Sequence, residues 1–505
     1  MKLINDIIKR ILLVTGFFLF FIIPDSVLSQ NYFEITPGIK YAYKTITYLR
    51  LDKAQMILDS LKRIEPGNML IYHIENYIDF YRIFINEDIN EFELLEKNKE
   101  LRLDKIKSGN KKSPYYRFSK AEIELQWAIS RLKFGENAKA AFEVRSAYKT
   151  LQKNQKKFPK FAANYKSLSV IHALTGTLTG LNKTIFTTIT GIDGTIKQGA
   201  SEIRKVIEYS KHNEFLFREE SYTIASFIAF HLENNKTKAW RIINSANLDI
   251  KNSPLACFVL ANMAQKTGKN EFAIKILKHI PHNPGQLQFY YPDYMLGKSL
   301  LYKNDKKALF YLRKFVDNFK GINYIKDAYL KIAWFKLIVN EDEQGYWQNI
   351  AKCISKGKAI VDEDKTAKKV ALNAVKPNSV LLKARLLYDG SYYTKAYSYL
   401  VKNKSKTGMS FFDKLEFNYR LGRILQALNS YEKAISFFTN TIKLGKGTNS
   451  HFVCNSFLQI GIIYEKLAIN NKAALYYKKC LNIDSDEYKN SIHRKAKAGL
   501  IRLKS

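Results

Sequence analysis

The chain has 505 residues, 46% of them hydrophobic, with 82 Lys plus Arg against 46 Asp plus Glu and a formal charge of +36. That size excludes neither several compact domains nor one extended array, but the scatter of basic residues along the whole chain excludes a single basic tail as the source of the charge. Two causes stay open: a basic surface selected for a polyanion, whose counterions it would release, or the Lys-, Asn-, Ile-, Tyr- and Phe-rich usage of an AT-rich coding sequence.

Lys2, Lys9 and Arg10 precede an uncharged run at 11–23, followed by Pro24 and a short segment ending Val27-Leu28-Ser29. This is the pattern of a secretory signal peptide at 1–29, with cleavage after Ser29 leaving Gln30 first. About 13 apolar residues fall short of the roughly 20 that cross a bilayer as a helix. No cysteine lies near the cut, so a lipid anchor has no attachment point, and no second stretch reaches transmembrane length. Export to the periplasm or cell envelope is the expectation.

From residue 38 onward apolar residues recur at spacings of three and four, the helical period. Ala42, Ala54 and Leu58, with Pro66 beyond, form the first instance of a recurring pattern: a small residue, then about a dozen positions later an alanine on a new helix, then a large apolar residue one turn on. Residues 103–116, with Lys105, Lys107, Lys111, Lys112, Gly109 and Pro114, read as an exposed loop between hairpins. Glu122 and Glu124 near Trp127 are candidates for a groove or for solvated positions on an amphipathic helix. The stretch 175–200 carries Gly176, Gly180, Gly191, Gly194 and Gly199 among threonines. It reads as a glycine-bounded helical hairpin or as a flap over the concave face.

The pattern then returns at Ala261, Ala273, Leu277; at Gly297, Ala308, Leu312; at Ala384, Ala396, Leu400; at Gly422, Ala434, Phe438; and at Gly461, Ala473, Tyr477. Between them, 357–380 reads as a loosely packed helix with a loop. Small residues let two helices approach closely, and the large residue fills the space beside them. Turn residues fall where hairpins need them, at Gly135-Glu136-Asn137, Thr267-Gly268, Asn304-Asp305, Asp389-Gly390, Asn429-Ser430 and Asn470-Asn471, since Gly and Asn tolerate the left-handed conformation that ends a helix. The prediction is an all-α superhelical array of antiparallel helix hairpins, with a divergent helical region at 30–235 that includes the Gly/Thr-rich insert and a more regular one at 236–505.

This spacing resembles the tetratricopeptide repeat, most clearly over 255–485. The departures are repeats longer than about 34 residues, loss of the first-helix tryptophan and loss of most late prolines. Over most of its length the chain resembles exported tetratricopeptide proteins of Gram-negative bacteria. The resemblance implies a non-enzymatic scaffold that holds a protein or peptide partner. Two other readings stand beside it: capture of a solute or glycan for an outer-membrane uptake system, and peripheral attachment to an anionic membrane or polyanion. No specific nucleic acid and no cofactor is expected.

In such arrays the residue after the small one of the first helix points into the concave groove. Here that position is Lys298, Arg385 and Arg423, with Tyr294 and Tyr419 one turn earlier and Tyr388 and Gln426 one turn later. Cations there would hold a carboxylate and tyrosines would add amphipathic contact, or the row is ordinary solvated charge. His279 and His282 lack the neighbours of a metal site. Gly191-Ile192-Asp193-Gly194 lacks the Lys-Ser or Lys-Thr of a phosphate loop. Of Cys257, Cys353, Cys454 and Cys480, the last two fall at ends of one hairpin that antiparallel packing brings together, as a disulfide or as two small core residues.

Overall fold

The computed structural model describes residues 31–177, 187, 190–406, 410–485 and 488–503. The signal segment expected at 1–29 and the middle of the Gly/Thr-rich insert lie outside them. Among the described residues the regular structure is helical, apart from one isolated bridge between Tyr32 and Asn68, and consecutive helices pack as hairpins into an α-solenoid.

Six hairpins carry the expected pattern. They pair Pro37–Thr47 with Leu51–Ile64, Pro254–Lys266 with Asn270–Lys278, Tyr291–Tyr302 with Ala308–Asn318, Ser379–Asp389 with Tyr393–Lys402, Phe411–Ala427 with Tyr431–Leu444, and His451–Lys466 with Asn470–Leu481. The second-helix alanines Ala54, Ala273, Ala308, Ala396, Ala434 and Ala473 are all fully buried. The small first-helix residue meets the large second-helix residue directly. A Cβ on Gly297 would stand 2.7 Å from Leu312, one on Gly422 2.7 Å from Phe438, and one on Gly461 2.7 Å from Tyr477. Phe438 also clusters with Ile460 and Ile463 of the following hairpin, so each large residue joins two repeats.

All six hairpins turn in the same way. A residue at positive φ ends the first helix, and the next N–H bonds back to the carbonyl five residues earlier, which is the Schellman closure. The positive-φ residues are Leu49, Gly268, Asn304, Ser391, Asn429 and Ala468. The matching bonds are Arg50 to Thr45, Lys269 to Ala264, Asp305 to Leu300, Tyr392 to Leu387, Ser430 to Leu425 and Ile469 to Tyr464, at 2.8–3.2 Å. Two expectations shift by a residue or two. At 389–391 the left-handed residue is Ser391, and Gly390 is needed for space instead, because its Cβ would lie 2.8 Å from Tyr302. At the last turn Ala468 takes that conformation, and Asn470 already opens the next helix.

Other hairpins were not visible as repeats: Leu70–Asn86 with Ile89–Lys107, Pro114–Phe134 with Asn137–Lys157, Ala162–Thr175 with Ile196–His212, and Ile325–Ile338 with Glu343–Ser355. The loop expected at 103–116 is shorter, because Leu103 and Ile106 are buried and keep the helix going to Lys107; the next begins at Pro114. At 357–380 the chain forms the helix Asp362–Leu372 between two loops. The described ends of the Gly/Thr-rich insert are packed, not free. Cβ atoms on Gly176, Gly194 and Gly199 would each lie within 2.5 Å of backbone belonging to Thr195–Ile196, His172 and Ser169, so glycine there permits a close crossing of two helices.

The array folds back on itself. Leu287 N–H bonds Leu49 O at 2.7 Å, the Gln286 amide bonds Tyr48 O at 2.8 Å, and Ser253 Oγ bonds Thr47 O at 2.7 Å. Leu49, Ile85 and Phe289 form a shared apolar cluster. Further along, Glu87, buried and at φ 51°, pairs with Lys133 and accepts from the Asn323 amide at 2.8 Å. Gly321 passes so close to Asn86 and Glu87 that a Cβ would meet both at 2.7 Å. The regions 30–235 and 236–505 therefore share an interface.

Tyr477 is boxed between Gly461 and Gly499, so its ring cannot swing from an added side chain. Gly461→Val is expected to lower stability by about 1–3 kcal/mol, measured by denaturant unfolding followed by circular dichroism at 222 nm. An unchanged midpoint would show that this contact does not constrain the hairpin.

Candidate functional site

The first helices of successive hairpins present a continuous row of cations, each against an aromatic ring. Lys266 Nζ lies 5.7 Å from the Phe230 ring, Lys298 4.9 Å from Tyr294, and Lys331 4.1 Å from Trp334. The Arg385 guanidinium lies 5.1 Å from the Trp334 ring, and that of Arg423 5.1 Å from Tyr388 and 5.9 Å from Tyr419. Such contacts hold a cation in place without neutralising it.

The three expected cations differ in how they are compensated. Arg385 faces Asp389 one turn on, at 3.7 Å, and its side chain stays 38% exposed. Arg423 donates to Tyr388 Oη at 2.7 Å and to Tyr419 Oη at 3.0 Å, while its Nε has no partner. Among the described residues no carboxylate lies within 4 Å of Arg423 or Lys298. Two neutral hydroxyls thus aim the Arg423 guanidinium and leave its charge unpaired. Burial works against that charge, and the contacts with the two tyrosines more than offset it, holding the guanidinium above its usual range.

Lys298 has neither an acid nor a hydroxyl on its amine, and burial brings it down to about 8. It nevertheless keeps partial solvent access, the combination expected of a recessed surface. Lys266 and Lys495 are both solvent-exposed and both lowered by the protein around them, Lys495 also by Arg423 and Arg494. The nearest acid to the middle of the row, Asp327, is buried and already engaged with Lys331 at 2.9 Å and with Tyr294 Oη at 2.7 Å. Although burial opposes it, Lys331 holds the Asp327 carboxyl below its usual range. Glu363 also faces Lys266 and Lys298, and Arg423 and Lys298 keep no carboxylate within 4 Å among the described residues.

The tyrosines are corrected by the structure. Tyr294 is fully buried and Tyr419 nearly so, so neither offers a face to a ligand. Tyr294 anchors Asp327, and Tyr419 Oη accepts from both Arg423 and the Asn455 amide, the latter at 2.8 Å. They are the wall behind the cations. Tyr388 is partly exposed, as is Gln426, whose side-chain amide has no protein partner among the described residues. The repeat pattern in the sequence does not single out Lys331, Trp334, Lys266 or Asn455. The hairpin holding Lys331 and Trp334 lacks the small-residue pattern, although the Lys-x-x-Trp spacing on one helical face was readable.

Glu122 and Glu124 do not face a groove. Glu122 is buried and paired with Lys166 at 2.6 Å, and Lys166 also holds Glu220 at 2.7 Å. Glu124 accepts from Ser146 at 2.8 Å, and Trp127 donates to Asn76 Oδ1 at 3.1 Å. These groups knit the interior of the N-terminal helices. His279 bonds the Lys275 carbonyl through Nδ1 at 2.8 Å, and among the described residues no cluster of His, Cys, Asp and Glu has the arrangement of a metal site. Cys454 and Cys480 place their sulfurs 3.8 Å apart in the buried core of the last hairpin.

No protein-family model and no curated protein matches the chain. Among solved structures it is similar to Naa15/Naa10 bound to HypK-THB, at 14% identity and a TM-score of 0.25, over 92% of this chain and 65% of that one, so it spans just under two thirds of that protein. It is also similar to the P58(IPK) TPR domain, at 12% identity and 0.20 over 92% and 98% of the two chains. The APC/C hetero-tetramer Cut9-Hcn1 gives 14% and 0.27 over 93% and 90%. At such scores the likeness adds nothing to what the hairpins themselves show: the chain is an all-α solenoid of helix hairpins.

Lys298→Met is expected to raise the melting temperature at pH 7, because methionine keeps the packing of the stem and removes a crowded charge. The folded-state amine titrates near 8, below the 10.5 of an ordinary lysine. Between those values the unfolded chain holds more protons, so the wild type gains stability as pH rises. The advantage of the variant is full below pH 8 and shrinks above it. An advantage that stays constant from pH 7 to 10 would exclude the amine as its source.

Proposed function

We propose that this protein is an exported, non-enzymatic scaffold of tetratricopeptide type that holds an acidic segment of a protein partner along its first-helix face. The observation that carries the reading is Arg423, a guanidinium aimed by Tyr388 and Tyr419 with no carboxylate of its own. Charge-assisted bonds from a fixed donor to an incoming carboxylate are stronger than neutral ones, and the fixing has been done before the ligand arrives. Lys298, Arg385 and Lys495 extend the cationic row over several turns, which suits an extended acidic peptide. Trp334 is almost wholly buried beneath Lys331 and Arg385, and Tyr419 lies in the wall. Secretion rests on the 1–29 segment.

The test is fluorescence anisotropy with a labelled peptide rich in glutamate and ending in a free carboxylate. Arg385→Glu with Arg423→Glu is expected to keep the helical circular dichroism and to weaken binding at least about tenfold, since two cations each worth roughly 1 kcal/mol or more are reversed. Wild-type affinity should fall as salt rises from 50 to 500 mM. Equal affinity of the double variant, or salt-independent binding, would remove this face as the site.

A further inference from the structure

We propose that Cys454 and Cys480 form a reversible disulfide that staples the hairpin of His451–Lys466 and Asn470–Leu481. The two residues sit on the antiparallel helices His451–Lys466 and Asn470–Leu481, both fully buried, with Sγ atoms 3.8 Å apart and the Cys454 thiol also 3.5 Å from Cys480 O. A disulfide is about 2.0 Å long, so each sulfur has to move by roughly 0.9 Å, within reach of a small χ1 rotation on each side. No helix has to slide.

The other two cysteines set the contrast. Cys257 and Cys353 lie on separate helices, and burial pushes each thiol up to about 12. Their sulfurs approach only carbonyls, of Ile250 at 3.2 Å and Ala367 at 3.5 Å. In the pair, the contact between the thiols holds Cys454 below the usual thiol range and Cys480 above it. The contact thus favours ionisation of one thiol of the pair while its partner stays protonated.

The oxidant is a low-molecular-weight disulfide such as oxidised glutathione. One thiolate of the pair attacks one of its sulfurs, the glutathione S–S bond breaks, and one glutathione thiolate leaves. The second thiolate then attacks the protein sulfur of the mixed disulfide and displaces the second glutathione. Two electrons pass to the glutathione pair, which also takes up the two protons. Both sulfurs are buried, so the reaction proceeds through local opening of this hairpin. Closing this pair also fixes Asn455, which holds the Tyr419 hydroxyl.

The experiment uses the full-length protein, reduced and then equilibrated in glutathione buffers of rising oxidised fraction, quenched in acid, and labelled with maleimide in denaturant. Four labels are expected when reduced and two when oxidised, the missing pair mapping to Cys454 and Cys480 as one linked peptide species. In hydrogen exchange, amides of 451–481 should slow on the order of tenfold upon oxidation in the wild type and remain unchanged in Cys454→Ala. Four labels in the most oxidising buffer, a linkage to Cys257 or Cys353, or equal exchange in the two wild-type states would each overturn the proposal. Should Cys454→Ala lose its helical signal, the oxidised and reduced wild type decide it alone.

Discussion

Everything in this molecule hangs on one contact, a large side chain seated where its partner helix has almost none. Gly297 under Leu312, Gly422 under Phe438 and Gly461 under Tyr477 bring two helices close enough for the second-helix alanine to be fully buried. Dispersion and apolar burial scale with that closeness. The same large residue then projects into the next hairpin, as Phe438 does toward Ile460 and Ile463. A contact that both closes one hairpin and seats the next makes the array continuous, and it sets the common direction of the first helices.

The second constraint is the return of the chain onto itself. Glu87 adopts a left-handed backbone that a glutamate does not favour, and it is held there by Lys133 and Asn323 from distant parts of the chain. Local strain of this sort persists where the surroundings over-determine it. With Leu49, Ile85 and Phe289 it makes the early helices a support for the middle repeats, so the array is more than a string of nearest neighbours.

The functional reading follows from charge placed on this frame. Most cations of a basic protein sit in water, where their environment changes little. Here Lys266, Lys298 and Lys495 are lowered by surrounding protein, and Arg423 is pinned by hydroxyls instead of acids. A row of cations that nearby acids only partly balance costs stability in the empty protein and returns it when an anion arrives. Asp327, beside Lys298, is itself committed to Lys331 and Tyr294.

The sequence by itself determined the hairpins that depend on side-chain size at fixed spacing: Ala42 with Ala54 and Leu58, and five more from Ala261 to Tyr477, each a local relation over one or two helices. It determined three cations of the row and the approach of Cys454 to Cys480, because antiparallel packing follows from the turn between them. Tertiary structure alone decided the rest. Leu103 and Ile106 turned an expected loop into helix because a neighbour covered them, and Ser391 and Ala468 took the left-handed turn positions because a Schellman bond, not residue type, sets them. Whether a tyrosine faces ligand or core is likewise decided by what lies behind it. Tyr294 is buried on Asp327, Tyr419 is braced by Asn455, and Lys331 with Trp334 joins the row from a hairpin whose sequence shows no repeat. These are contacts across helices, and no spacing within one helix encodes them.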